Sequence, residues 1–218
     1  MIVAIDGPAG AGKSTVARGV ARALGIRHLD TGAMYRALTW KAMAEKVEPS
    51  DGAALAALAR RTSFTFGPSG IIVDGRPMER EIRSRRVGHL VSMVSAHPAV
   101  RRELVLRQRA IVDSEDAVIE GRDIGTVVCP GADVKVFLTA SAAERARRRH
   151  RELLRSGMVI TYRTLKRELV RRDALDATRP VSPLAPAEDA YVIDSTARSS
   201  AEVVAEIIGL VRAAQRRS

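Results

Sequence analysis

The residues whose spacing most clearly indicates chemistry form a glycine-rich stretch near the start of the chain. Residues 7–14 read Gly-Pro-Ala-Gly-Ala-Gly-Lys-Ser, a complete G-x-x-x-x-G-K-[ST] pattern. In such a loop the glycines let backbone N–H groups turn toward phosphate oxygens, Lys13 reaches the β- and γ-phosphates, and the Ser14 hydroxyl ligates Mg²⁺. The loop follows an apolar run and precedes a helical pattern, whose N-terminal dipole also favours phosphate. The sequence therefore predicts a nucleoside triphosphate site here.

Length, composition and cysteine content limit the kind of protein that carries this loop. The 218 residues, of which 46% are hydrophobic, suffice for one α/β domain with a small insert. Cys129 is the single cysteine, so the chain can form neither an intrachain disulfide nor a thiolate metal cluster. The first apolar run is short and is followed at once by Asp6, unlike a secretory leader or a membrane span. We therefore expect a soluble, cytoplasmic protein without a membrane partner.

The strong positive charge raises nucleic acid as a second class of partner. The formal net charge is +11, but only five of the 36 basic residues are lysine, and aromatic residues make up 3% of the chain. Few aromatic side chains means few platforms on which single-stranded bases can stack. Arginine is also suited to holding a small anionic substrate through paired hydrogen bonds. We therefore favour a phosphate-bearing small substrate and expect no nucleic-acid partner.

Strand and helix patterns alternate along most of the chain. Strand patterns occur at residues 1–5, 27–30, 117–120, 134–138 and 191–194, and helical patterns at residues 14–24, 31–46, 87–96, 99–112, 141–155, 161–174 and 200–216. Between them, a helix at 53–60 and short strands at 62–66, 71–74 and 77–79 are separated by the turn sequences Gly-Pro-Ser-Gly and Asp-Gly-Arg. The alternation predicts an α/β fold with a parallel sheet and helices on both faces, interrupted by a hairpin-rich insert at about residues 52–90.

Polar residues directly after two predicted strands are further candidates. Ligands of open parallel sheets bind beyond the carboxyl ends of the strands. Residues 30–32 (Asp-Thr-Gly) and 121–123 (Gly-Arg-Asp) both occupy that position. Asp30 could cap the helix that begins near Thr31 or contact magnesium-bound water, and both interpretations stay open. Asp176 and Arg179 are expected in a proline-rich loop after the helix at 161–174, where charged side chains are available to a ligand.

Three strings together resemble a known family of enzymes. Residues 30–36 (Asp-Thr-Gly-Ala-Met-Tyr-Arg), residues 121–128 (Gly-Arg-Asp-Ile-Gly-Thr-Val-Val) and the set Arg172, Asp173, Asp176 and Arg179 resemble the bacterial CMP/dCMP kinases, which are P-loop nucleoside monophosphate kinases. The resemblance covers the whole chain, including the position of the insert and residues 106–109. It implies one kinase domain over residues 1–218, an inserted NMP-binding subdomain at about 52–90 and a helical lid at about 145–180. It also implies transfer of the γ-phosphoryl group of ATP to CMP or dCMP, with Mg²⁺ as cofactor.

The same resemblance implies roles for individual residues. ATP binding falls to Gly7, Pro8, Ala9, Gly10, Ala11, Gly12, Lys13, Ser14 and Thr15, with Ser14 also facing Mg²⁺. CMP binding falls to Thr31, Tyr35, Arg36, Ser92, Arg101, Arg122, Asp123, Arg172, Asp176 and Arg179. Of these, Thr31, Ser92, Arg101 and Asp123 match positions that recognise cytosine, Arg36 and Arg122 hold the monophosphate, and Arg172 and Asp176 contact the pentose. The residues that stabilise the transferred phosphoryl group are Lys13, Arg122, Arg148, Arg149 and Arg179.

Elementary chemistry agrees with an arginine-rich site. A nucleoside monophosphate has a second pKa of about 6, so its attacking oxygen is already deprotonated at pH 7 and needs no general base. The reaction needs positive charge between the two phosphate groups and on the loose transition state. The arginines at 145, 147, 148, 149 and 151 could nevertheless be a solvated helix face paired with Glu144 and Glu152, an interpretation we favour for all except Arg148 and Arg149. Tyr35 also has the spacing of a buried helix face.

Three alternatives remain open from the sequence. A kinase for another small acceptor, such as AMP, dTMP or shikimate, would share the loop and the sheet. A GTP-hydrolysing switch would need an Asn-Lys-x-Asp motif, which this chain cannot provide because it contains no asparagine. A basic nucleic-acid-binding ATPase rests on net charge alone. The favoured reading is a monomer that binds ATP and CMP or dCMP.

Overall fold

The computed structural model describes residues 1–67, 70–112, 115–155, 157 and 160–216. Predictions that involve Pro68 and Ser69 in the hairpin turn, and Ser156, Met158 and Val159 in the lid region, lie outside the described residues. The chain divides into a first unit, Met1–His28 with Asp116–Ser218, and a second unit, Leu29–Glu115. No helix in the described part of the chain is long and apolar enough to cross a membrane.

Eight strands and eight helices make up the described regular structure. The strands are β1 (Ile2–Asp6), β2 (Arg27–Asp30), β3 (Phe64–Gly67), β4 (Gly70–Val73), β5 (Arg76–Pro77), β6 (Ala117–Glu120), β7 (Val134–Thr139) and β8 (Tyr191–Asp194). The helices are α1 (Lys13–Leu24), α2 (Thr31–Ala44), α3 (Gly52–Arg60), α4 (Arg85–Ala96), α5 (Pro98–Val112), α6 (Ala142–Arg155), α7 (Tyr162–Ala177) and α8 (Ser200–Gln215). A single 3₁₀ turn (Glu81–Arg83) and a wide helical turn (Ile124–Val128) complete the list.

A five-stranded sheet with the order β2-β6-β1-β7-β8 organises the first unit. β1 pairs in parallel with β6 and β7, and β7 pairs in parallel with β8. β1 and β6 are almost entirely buried, as continuous apolar strands of a parallel sheet must be when helices cover both faces. The core joins valines of β1 and β7 to apolar residues of α1 and α8, such as Val16, Val20 and Ile207. The predicted α/β parallel-sheet fold is confirmed.

Helices packed on a small antiparallel sheet form the second unit. β3, β4 and β5 pair in that order, and apolar residues of β3 and β4 share a core with α2, α3, α4 and α5. Asp51 and Ser84 start α3 and α4 by accepting the backbone N–H groups of Ala54 and Val87. The hairpins expected at about residues 52–90 lie inside this unit.

The structure corrects one predicted helix end. α7 runs to Ala177, so Asp176 lies in its last turn and not in the following loop. The sequence Ala-Leu-Asp-Ala consists largely of strong helix formers and carries the helix to the residues just before Pro180, which then stops it. Arg179 does follow the helix, as expected.

Candidate active site

The glycine-rich loop between β1 and α1 has a backbone that side chains would obstruct. Gly7, Gly10 and Gly12 have φ values of 146°, 77° and 97°, which residues with a Cβ rarely adopt. A Cβ on Gly7 would also lie 1.9 Å from the backbone oxygen of Leu138 on β7. The three glycines are therefore required for the loop to turn back against the sheet and enter α1.

Lys13, the first residue of α1, is buried against this loop. Its Nζ donates to the backbone oxygens of Gly7 at 2.7 Å and Pro8 at 2.9 Å. Burial, reinforced by the positive charge of Arg122, lowers the pKa of Lys13 to about 7. Because burial and Arg122 both disfavour the protonated form of Lys13, a neighbouring anion would stabilise that form strongly. Lys13 is therefore suited to binding phosphate.

Three side chains at the ends of α1, β6 and β2 form one hydrogen-bonded series. Ser14 Oγ donates to Glu120 Oε2 at 2.9 Å, and His28 Nε2 lies 2.9 Å from the other oxygen, Glu120 Oε1. Glu120 is buried at the end of β6. A hydroxyl and a carboxylate are the hard oxygen groups that Mg²⁺ prefers. Within the described residues no group of three or more His, Cys, Asp or Glu could enclose a metal, so nucleotide phosphates and water would have to complete the coordination.

Asp6 fixes the segment that follows Arg122 and Asp123. Its two carboxylate oxygens accept the backbone N–H groups of Ile124 and Gly125, each at 2.8 Å, where the wide helical turn begins. Burial raises the pKa of Asp6 to about 6, although these two hydrogen bonds act in the opposite direction. Asp6 could not be predicted as the anchor of this turn, because its two partners lie more than a hundred residues away in sequence.

The predicted cluster of Arg122, Arg172, Asp176 and Arg179 assembles in the first unit. Arg122 Nε donates to Asp176 Oδ2 at 3.1 Å, and Arg179 Nε donates to the backbone oxygen of Asp176 at 3.1 Å. Burial by itself raises the pKa of Asp176, but the charges of Arg122, Arg172 and Arg179 outweigh it and the pKa lies below its ordinary value. Asp176 is therefore an ionised, buried acceptor among three arginines.

The arginines of α6 divide into two groups. Arg147 and Arg151 are exposed and Arg149 is half-buried, and all three pair with glutamates of their own helix, Arg149 with Glu152 at 2.8 Å. Arg145 is buried, which corrects the expectation that it belongs to the solvated face.

The two inward arginines of α6 both contact the glycine-rich loop. Arg145 donates to the backbone oxygen of Ala9 at 3.1 Å, and Arg148 donates to that of Ala11 at the same distance. Arg148 also donates to the backbone oxygen of Ser195 at 2.6 Å.

A cavity of about 230 Å³ lies beside the loop. Its lining residues are Ala11, Gly12, Thr15, Val16, Arg148, Ser195, Arg198, Ser199, Ser200 and Val203. Ser195 and Arg198 follow the carboxyl end of β8. Residues after two other strands were predicted as ligand-binding candidates on that ground, but sequence reasoning missed these two. Ser195 Oγ donates to the backbone oxygen of Ala11 at 3.1 Å, so this segment is fixed to the loop.

The second unit holds the remaining predicted residues. Asp30 caps α2 by accepting the N–H of Ala33 at 3.1 Å, and its other oxygen pairs with Arg36 at 2.6 Å. Thr31 is the buried first residue of α2.

Two further predicted residues of this unit are brought together. Arg101, from α5, is fully buried and its guanidinium lies 5.3 Å from the centre of the Tyr35 ring. Arg101 also donates to the backbone oxygen of Ser95, one turn after Ser92 on α4.

Comparison with known proteins supplies the family. The family model for cytidylate kinase matches residues 3–213. The chain belongs to the cytidylate kinase family. It is 48% identical to a cytidylate kinase of Geobacillus sp. strain WCH70, over 96% of this chain and 95% of that one. A cytidylate kinase of Carboxydothermus hydrogenoformans is 47% identical over 97% of both chains.

Solved structures agree on the fold. A shikimate kinase of Acinetobacter baumannii matches with a TM-score of 0.50 and 15% identity, covering 97% of this chain and 93% of that chain. At this identity the likeness shows the α/β fold alone.

Proposed function

We propose that this chain transfers the γ-phosphoryl group of ATP to CMP or dCMP and releases ADP with CDP or dCDP. Its membership in the cytidylate kinase family over residues 3–213 is the observation that carries the proposal. The glycine-rich loop with its buried Lys13 supports a phosphotransferase that uses a nucleoside triphosphate.

ATP binds through residues 7–15. The loop N–H groups and the N-terminus of α1 hold the phosphates, and Lys13 exchanges its two backbone acceptors for phosphate oxygens. The nucleoside part of ATP occupies the neighbouring cavity, between Arg148 and Arg198, next to loop residues Gly12 and Thr15.

The Ser14 hydroxyl, together with the ATP phosphates, would hold Mg²⁺. Because Ser14 donates its proton to Glu120, the lone pairs of Ser14 Oγ are free to face a cation. When bound, the ion would neutralise charge on the phosphates and so assist transfer of the γ-phosphoryl group. The chain's own contribution is to keep the Ser14 hydroxyl oriented, through Glu120 and His28.

CMP binding falls to the residues predicted from the sequence. Arg36 and Arg122 neutralise its phosphate, and Thr31, Tyr35, Ser92, Arg101 and Asp123 recognise the base. Arg172 and the ionised Asp176 bind the pentose, for which an ionised carboxylate is a strong hydroxyl acceptor.

The transfer itself depends on positive charge. The acceptor phosphate attacks without a general base, because its oxygen is deprotonated near neutral pH. Lys13, Arg122, Arg148, Arg149 and Arg179 stabilise the charge that spreads over the transferred group. Residues 145–180 act as the lid, and residues 52–90 as the NMP-binding insert. We further propose that the enzyme is cytoplasmic and that it acts as a monomer of 23.6 kDa. Sedimentation tests the monomeric state directly.

Product analysis tests the activity. Incubation of the protein with Mg²⁺, ATP and either CMP or dCMP should produce ADP and the matching diphosphate in equal amounts, separable by anion exchange. Lys13→Met should reduce the rate at least about 100-fold, the typical cost of one contact to transition-state charge. Release of ADP and inorganic phosphate without a cytidine diphosphate would contradict the proposal.

A further inference from the structure

We propose that Arg145 is a positioning residue, which turns the Ala9–Gly10 peptide so that the Gly10 N–H faces the phosphates of ATP. Arg145 can play this role only if the chain binds a nucleoside triphosphate as proposed above. Arg145 does not contact the reacting phosphate atoms. It binds the loop backbone from the α6 side and acts through that backbone.

The contacts of Arg145 leave its side chain a single orientation. Its Nε donates to the backbone oxygen of Ala140 at 2.9 Å, and Nη1 donates to the backbone oxygen of Ala9 at 3.1 Å. Nη1 also pairs with Asp173 Oδ2 of α7 at 2.6 Å. The side chain is 7% exposed, so these bonds are formed away from competing water. The guanidinium therefore fixes α6, α7 and the loop to one another.

Packing brings the same surfaces together. Ala9 contacts Ala146 of α6 and Leu169 of α7 in a small apolar cluster. A Cβ on Gly10 would lie 3.2 Å from both the Cβ and the backbone oxygen of Arg145, so α6 approaches the loop as closely as a glycine allows. The helical pair is thus in contact with the loop at the residues on either side of the peptide that Arg145 binds.

Peptide geometry links this outer contact to the inner face of the loop. In a planar trans peptide the C=O of one residue and the N–H of the next point in opposite directions. Because the Ala9 C=O is directed at Arg145, the Gly10 N–H is directed away from it. Arg148 and Ser195 bind the Ala11 C=O in the same manner, which directs the Gly12 N–H away from α6 as well. The Gly10 and Gly12 N–H groups are therefore both directed away from α6, where they are available to an anion.

Calorimetry with ADP tests the role without turnover. Arg145→Lys keeps the positive charge beside Asp173 but cannot satisfy Ala140, Ala9 and Asp173 together. We expect it to weaken the dissociation constant for ADP about tenfold, the equivalent of one net hydrogen bond, and to leave that for CMP within about twofold. Arg147→Lys is the matched control, because Arg147 is exposed on the same helix, and it should bind both nucleotides as the parent does.

The measured stoichiometry separates positioning from folding. A residue that only stabilises the fold would lower the number of binding sites per chain, while the remaining folded protein would keep the parent's dissociation constant. An unchanged dissociation constant for ADP in Arg145→Lys would overturn the inference. If that variant does not fold, Arg145→Met combined with Asp173→Asn avoids a buried unpaired carboxylate. The dissociation constant for ADP and the number of binding sites per chain are then compared in the same way. A parent protein that binds CMP but no ADP or ATP would instead overturn the proposed function, and the role of Arg145 with it.

Discussion

The hydroxyl of Ser14 donates to Glu120 Oε2 at 2.9 Å and joins the start of α1 to the end of β6. The hydrogen bond fixes where the Ser14 proton goes, and therefore which side of the oxygen remains open to a cation. His28 contacts the opposite carboxylate oxygen, so Glu120 is held from both sides. Residues from three separate elements thus orient one hydroxyl.

Glu120→Gln should impair magnesium-dependent binding more than nucleotide binding as such. The neutral amide is a weaker acceptor and can present its NH₂ to Ser14, which disturbs the orientation of the hydroxyl. Mg²⁺ lowers the dissociation constant for ADP by some factor in the parent, and we expect that factor to be about tenfold smaller in the variant. The dissociation constant for ADP in the presence of a chelator should stay the same. If calorimetry shows that Mg²⁺ strengthens ADP binding equally in parent and variant, Glu120 does not act on the metal site.

Gly7→Ala should destabilise the protein strongly. The added Cβ meets the backbone oxygen of Leu138, which cannot move without disturbing β7, and the φ of 146° adds strain. We expect a loss of about 2 kcal/mol or more in the free energy of unfolding, measured with urea. Gly131→Ala is the control, since a Cβ there has nothing within 4 Å. Similar stability of the two variants would mean that the loop does not pack against β7 as described.

Asp176→Ala should weaken the acceptor side of the reaction. The substitution removes the carboxylate that the charges of Arg122, Arg172 and Arg179 surround, and with it the proposed pentose contact. We expect the KM for CMP and dCMP to rise at least about tenfold and the KM for ATP to change much less. Unchanged KM values for CMP and dCMP in steady-state assays would show that the pentose assignment is wrong.

The buried Lys13 should make the stability of the protein depend on pH. Its pKa falls from 10.5 to about 7, so between these values the unfolded chain binds a proton that the folded chain lacks. The contribution of Lys13 to the free energy of unfolding must therefore rise with pH through this range, by at most about 1.4 kcal/mol per pH unit. Lys13→Met, which has no such proton, should show a smaller slope between pH 7.5 and 9.5 in urea titrations. Identical slopes would mean that Lys13 keeps an ordinary pKa.

Local patterns predicted more of this molecule than long-range contacts did. The α/β alternation depends on spacing within short segments, and the fold confirmed it. The loop pattern at residues 7–14 is equally local, and its phosphate-binding role remains a prediction. The burial of Arg145 depends on Asp173 and on the loop, both far from it in sequence, so the sequence pattern grouped Arg145 with the solvated arginines of its helix. Asp6 directly follows the strand predicted at residues 1–5, but only the folded chain shows that it binds the turn at Ile124. The roles assigned to the CMP-binding residues remain predictions.

The relative rate with different acceptors is the most direct test of the central claim. An ADP-release assay with saturating ATP and Mg²⁺ should be run with CMP, dCMP, UMP, AMP, GMP and dTMP at equal concentrations, and kcat/KM determined for each. The proposed function predicts the highest kcat/KM for CMP or dCMP. A kcat/KM for AMP or UMP well above that for CMP would contradict it.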